Sequence, residues 1–135
     1  MILDAKGNLG IGTSNLYPDF KLSVNGKIQA KEIKVHTGWS DFVFYDDYKL
    51  PTLQEVENHI SEKGHLQNIP SAAAVEKDGI FLGEMDSKLL QKIEELTLYT
   101  IQQEKKIQKQ VEKSISQDKQ IELLLQRLEK LEALN

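Results

Sequence analysis

The chain has 135 residues, 39% of them hydrophobic and 28% charged, so it has room for one small globular unit besides an extended segment. Its net charge of −4, or about −12 for three copies, argues against nucleic acid or an anionic membrane as the main partner, since both require a basic face. Absence of cysteine excludes disulfides and thiolate metal sites, and no apolar run reaches the ~18 residues of a bilayer span, so no membrane insertion is expected.

Residues 1–37 read as a β-type segment. Five of the eight glycines and Pro18 lie within the first 38 residues, and the stretch opens without the apolar core of a signal peptide. The opening at Met1–Gly7 reads as a piece of something longer. Gly7, Gly10 and Gly12 surround Leu9 and Ile11 and suit close backbone approach or positive φ. Phe20, Leu22 and Val24 alternate with polar residues, Asn25-Gly26 supplies a turn, and Ile28 and Ala30 resume the alternation, which predicts a strand, a turn and a strand. A phosphate-binding loop is the poorer reading, because no Lys-Ser/Thr pair and no helix follow Gly12.

Residues 38–84 read as a small α/β collar. Phe42 to Tyr45 is an aromatic strand candidate, with Phe42 and Phe44 on one face and Val43 and Tyr45 on the other. Pro51-Thr52 opens a helix in which Thr52 and Glu55 form a capping box, Leu53, Val56 and Ile60 form the apolar face, and Gly64 ends it. Ser71 caps a second short helix through Ala72 to Lys77, stopped at Asp78-Gly79, and Ile80, Phe81 and Leu82 follow as a buried connector.

Residues 85–135 carry a heptad repeat free of Pro and Gly. With Ile93 at position a, the a positions are Ile93, Thr100, Ile107, Ser114, Ile121 and Leu128, and the d positions are Leu89, Leu96, Gln103, Gln110, Gln117, Leu124 and Leu131. A helix from about Met85 to the end would be roughly 70 Å long and cannot bury this stripe within one chain. These residues are therefore the candidate oligomerisation site. Isoleucine at a with leucine at d is a dimer preference in simple coils, and the polar layers at the centre break that preference and fix register and strand number. Lys113 at g faces Asp118 at the following e, and Arg127 faces Glu132, as parallel strands require. A parallel homotrimer is the preferred reading. The fold expected is α+β and elongated: an intertwined β-stalk segment, the collar, and a long C-terminal parallel trimeric coiled coil.

Two sets of residues carry a resemblance. Gly7-Asn8-Leu9-Gly10-Ile11-Gly12-Thr13 followed by Lys21-Leu22-Ser23-Val24-Asn25-Gly26 is similar to a unit near the C-terminal ends of phage tail fibres. Trp39, Asp41-Phe42-Val43-Phe44, Asp47-Tyr48-Lys49-Leu50-Pro51, Gly64-His65-Leu66, Ile69-Pro70-Ser71-Ala72, Leu82-Gly83-Glu84-Met85 and the run from Leu89 to Tyr99 resemble a tail-fibre C-terminal domain of Bacteroidetes proteins and their phages. The resemblance implies a homotrimeric fibre terminus with interwoven β-segments, folding from the helical end. It also implies upstream fibre domains, a host-surface receptor reached through those parts, and a place on a virion tail fibre or a cell surface. More distantly, the chain is similar to the intramolecular chaperones that end endosialidases, which cut themselves before a Ser-Asp pair. Ser40-Asp41 occupies that place, but Val43 and Tyr45 stand where the pattern has Arg and Lys, so the base for the serine is missing.

No cofactor is expected, and the chain does not read as an enzyme. His36, His59 and His65 lack metal-ligand spacing, although a three-fold axis could gather three copies of one histidine. Asp46, Asp47, Glu55 and Glu57 are accounted for by caps and solvated faces. The Gln layers could hold water or chloride on an axis. Trp39, Phe42, Phe44, Tyr45 and Tyr48 are the concentrated aromatics a receptor- or glycan-binding tip would use, but they are expected to form the collar's core.

Overall fold

A computed structural model describes all residues from Met1 to Asn135, and the chain is α+β: three short strands followed by three helices. It divides into two compact units, Met1–Val35 and His36–Asn135.

In the first unit, β1 (Ile2–Leu3), β2 (Leu9–Ile11) and β3 (Leu22–Val24) form one sheet in the order β1-β2-β3. β1 runs antiparallel to β2, with Leu3 opposite Leu9, and β2 runs parallel to β3, with Gly10 opposite Ser23. The β1–β2 turn is built on Asp4, whose carboxylate accepts from the Lys6 and Asn8 amides at 2.8 Å each and from the Asn8 side chain at 3.1 Å. The Asn8 amide is the main reason the Asp4 carboxyl titrates below its ordinary value. Lys21 Nζ closes the turn by donating to the Lys6 carbonyl and to Asn8 Oδ1. A side chain at Gly10 could not be accommodated, since a Cβ there would lie 2.6 Å from the Thr13 carbonyl oxygen.

Of the expected strand-turn-strand at Asn25-Gly26, the first strand forms as β3 but the returning strand does not. Asn25 instead donates its backbone N–H to Ile11 and its side-chain amide to the Gly12 carbonyl, which prolongs the parallel ladder, and residues 28–30 have no regular structure. A strand needs a neighbour for its backbone groups, and β3 already has β2.

In the second unit, α1 (Leu53–Lys63) begins at the Thr52–Glu55 capping box and ends at Gly64 in the left-handed conformation (φ 74°). α2 (Ala72–Asp78) has Ser71 as N-cap, its hydroxyl accepting from the Ala74 amide. α3 (Leu82–Ala133) runs 52 residues without a break, about 78 Å at 1.5 Å per residue. It starts at Leu82 and not near Met85, because Gly83 lies in the first turn, where backbone N–H groups need no helical partner. Ile80, Phe81 and Leu82, expected as a buried connector, are 45%, 66% and 57% exposed. The short link they form just before the long helix has no layer of its own chain thick enough to bury them.

The aromatic strand at Phe42–Tyr45 is replaced by turns: the Tyr45 amide donates to the Phe42 carbonyl and the Tyr48 amide to that of Tyr45. No neighbouring strand is there to pair with this segment, so its backbone closes on itself. The core is correspondingly different from the one expected. Phe42, Phe44, Tyr45 and Trp39 are all exposed, and Val43 is the one fully buried hydrophobic side chain, at 2%.

Candidate oligomerisation face

α3 has two faces within the second unit. Ser87, Gln91, Glu94, Glu95 and Leu98 are buried or half-buried and occupy b, f, b, c and f of the heptad, with Ser87, Gln91 and Glu95 bonded to Ser40 or Tyr48, whereas Leu89, Ile93 and Leu96 at d, a and d are 46%, 60% and 63% exposed. At 100° per residue the two sets point about 180° apart. Residues 40–48 of the collar are therefore bonded to the side of α3 opposite the apolar stripe, whereas α1 lies along one edge of the stripe.

Polar contacts hold the collar there. Ser40 Oγ lies 2.6 Å from Ser87 Oγ, and the Tyr99 hydroxyl donates to the Pro51 carbonyl at 2.6 Å. Glu95 is 5% exposed and accepts from the Tyr48 hydroxyl (2.5 Å) and Gln91 Nε2 (2.9 Å) at one oxygen and from Lys92 Nζ (2.8 Å) at the other. Burial alone would raise the Glu95 pKa, but the bonds from Lys92, Tyr48 and Gln91 together outweigh it and hold the carboxyl below its ordinary value. Burial first, and then the bond to Glu95, raise the Tyr48 pKa, so this hydroxyl stays a donor. A folded-state pKa depressed in this way stabilises the collar above the ordinary glutamate range, and that contribution is lost as pH falls through the folded value. Glu95→Gln should accordingly cost on the order of 2 kcal/mol at neutral pH, the scale of a hydrogen bond to a charged group. Melting curves from pH 7 to pH 3 check this: the acid-dependent loss in the parent should shrink in the variant, and equal pH slopes would show that Glu95 does not carry it.

Beyond Tyr99 the helix touches nothing. Every residue from Thr100 to Asn135 is exposed, including Ile107 (57%), Ile121 (54%), Leu124 (58%), Leu128 (55%) and Leu131 (64%). Gln103, Gln110, Gln117 and Ser114 lie on the same unbroken helix and are exposed as well. Thr100 returns its hydroxyl to the Leu96 carbonyl at 2.9 Å, so its layer needs no external hydrogen-bond partner. The chain as a whole exposes 11908 Å², against about 7200 Å² for a compact monomer of this mass.

Strict a and d positions leave out other exposed apolar residues, among them Val111 (52%), Ile115 (50%) and Leu125 (57%). The signal was the four-residue spacing of Ile107, Val111 and Ile115, which places the last two about 40° and 80° round the helix from the first. Where the glutamines interrupt one edge of the stripe, these residues widen the other.

Other candidate groups do not converge. His59 and His65 meet edge to face, with ring centroids 5.7 Å apart, and His65 Nδ1 is bonded to the Leu66 carbonyl. No group of three or more His, Asp or Glu side chains is placed to hold a metal ion, and no helix is long and apolar enough to cross a membrane. Glu55 belongs to the cap and Glu57 accepts from Gln54. Ser40, the residue of the self-cleavage pattern, is 7% exposed and paired only with Ser87, a hydroxyl too weakly basic to take its proton. The purified chain should therefore stay full length on long incubation, and Ser40→Ala should leave its mass pattern unchanged. A fragment beginning at Ser40 or Asp41 in intact-mass spectra would overturn this.

No protein-family model, curated protein or solved structure matches this chain.

Proposed function

We infer that the chain is a trimerisation and folding module: three copies associate in parallel through α3, the β-segments of the first unit intertwine, and the assembly closes the C-terminal end of a fibre of the phage tail or bacterial surface type. The observation that carries this is the division of α3 into a collar-packed b/c/f face and an exposed a/d face that passes through polar layers between Thr100 and Gln117 and ends on apolar residues as far as Leu131. A helix with 34 residues beyond Tyr99 and no packing is marginal in water, and partner helices supply the missing burial. Three strands suit the broadened stripe, because a trimer's core reaches further round each helix than a dimer's. Upstream domains would carry the contact with a host surface. The isolated chain should sediment at about 46 kDa, three copies of 15.4 kDa, and a monomer or stable dimer at micromolar concentration would refute the assignment.

A second reading is supported by the exposed aromatics of the collar, Trp39 (64%), Phe44 (55%) and Tyr45 (61%), which a glycan- or receptor-binding tip would display. Binding of the isolated module on a glycan array, abolished by Trp39→Ala, would establish it; a silent array returns these residues to contacts within the fibre.

A further inference from the structure

An apolar groove of about 420 Å³ opens between α1 and α3, walled by Leu53, Val56 and Leu66 and floored by Leu89, Ile93 and Leu96. Its position on the heptad is specific. Besides the a and d residues it reaches Lys92 and Tyr99, both at g, so it lies along the d/g edge of α3 and not along the e edge. The walls are largely open, with Leu53 50% and Leu66 41% exposed.

We propose that this groove is filled by a second copy of the chain, specifically by the e edge of the neighbouring α3 at Leu90 and Thr97, so that α1 clamps across the boundary between chains. This rests on the parallel assembly argued above. In a parallel coil the g edge of one helix meets the e edge of the next, a g residue facing the e residue five positions later. Just above the groove Met85 pairs with Leu90, within it Lys92 pairs with Thr97, and only at its lower end, where Tyr99 pairs with Glu104, does an acid enter. Lys92 is already committed to Glu95 of its own chain, at 2.8 Å. From the lower end of the groove onward the chemistry changes: Glu104, Asp118 and Glu132 take e positions in alternate heptads, between Val111 and Leu125, and Lys113 and Arg127 at g meet the last two acids. Two successive uncharged e positions, Leu90 and Thr97, thus occur at the upper part of the groove, and nowhere below it. The groove is also continuous with the stripe, sharing Leu89, Ile93 and Leu96 with it. Leucine and threonine from the neighbour would cover what α1 leaves open.

The chain contains no cysteine, so single introduced thiols report without background. Two differently tagged full-length chains, Leu53→Cys and Thr97→Cys, are refolded together and treated with a short bis-maleimide. A covalent product joining the two tags is necessarily between chains. The comparison is Asn58→Cys with Thr97→Cys, since residue 58 stands about 140° round α1 from residue 53. The 53/97 pair should join in at least about fivefold higher yield than the 58/97 pair, as expected where only one of two thiols faces its partner. Equal yields, or no 53/97 product in a preparation that sediments as a trimer, overturn the clamp and leave the trimer standing. So does a thiol at position 53 that reacts with a bulky maleimide as fast in the intact trimer as in unfolded chain, since the groove would then be open to some other occupant. A chain that sediments as a monomer overturns the clamp and the trimer together.

Discussion

Ile93→Asp should abolish association. The residue is 60% exposed in one chain and, in the proposed assembly, meets two copies of itself beside the collar. The substitution removes the burial of a large aliphatic side chain, about 1.5–3 kcal/mol per chain, and sets three carboxylates together in a dehydrated layer at a cost of several kcal/mol each. Proton uptake offers only partial relief, because three neutral carboxyl groups still need hydrogen-bond partners that an aliphatic layer lacks. The consequence extends beyond that layer. Deprived of partners, α3 beyond Tyr99 has no packing and should fray, whereas α1 keeps its own capping box and its left-handed Gly64 stop. The variant should sediment at the mass of one chain and lose a large part of its helical circular dichroism, and the intertwining proposed for the β-segments should be lost with it. Leu96→Asp should behave alike. A variant that is trimeric with full helicity would show that the a/d stripe is not the interface.

What could be read from the sequence divides along the range of the interactions involved. Thr52, Glu55, Gly64 and Ser71 were identifiable because a cap is settled within four residues. The helical repeat was legible because its period recurs from Leu89 to Leu131, whatever surrounds it. Contacts between distant residues were not legible in this way. Tyr48 and Glu95 are 47 positions apart, and nothing local marks Gln91, Glu94 and Glu95, three polar residues, as the buried side of a helix. The expected aromatic strand failed for a related reason: alternation of Phe42, Val43, Phe44 and Tyr45 describes a strand only if another strand is present to pair with it. The parallel pairing of β2 with β3 was likewise hidden, since Asn25-Gly26 carries a hairpin signal that the Asn25 bonds to Ile11 and Gly12 override. For the candidate site, the a and d residues were in view, but the opposition between stripe and collar, and the widening by Val111, Ile115 and Leu125, required the helix and its covered side to be seen together.

Replacing Gln103, Gln110 and Gln117 together with leucine should stabilise the assembly while blurring its strand number. Each glutamine occupies a d position on a helix that is otherwise apolar at its ends, and burying leucine there removes more apolar surface from water, at about 25 cal/mol per Å². Nine such side chains in a trimer should raise the melting temperature by about 10 °C or more. Selectivity should move the other way. Stacked amides can satisfy one another only when the helices are in register and present in the right number, whereas a continuous leucine seam packs acceptably in several arrangements. Shifts of seven residues, which bring glutamine against leucine at the ends of the parent's polar block, would bring leucine against leucine in the variant. Sedimentation should then resolve more than one species where the parent gives one, and crosslinks between α3 helices should include pairs displaced by a heptad. A variant that melts higher and remains a single in-register trimer would show that strand number is set elsewhere. The β-segments and the α1–α3 groove would then have to supply the specificity, because they are the remaining surfaces on which one copy can recognise another.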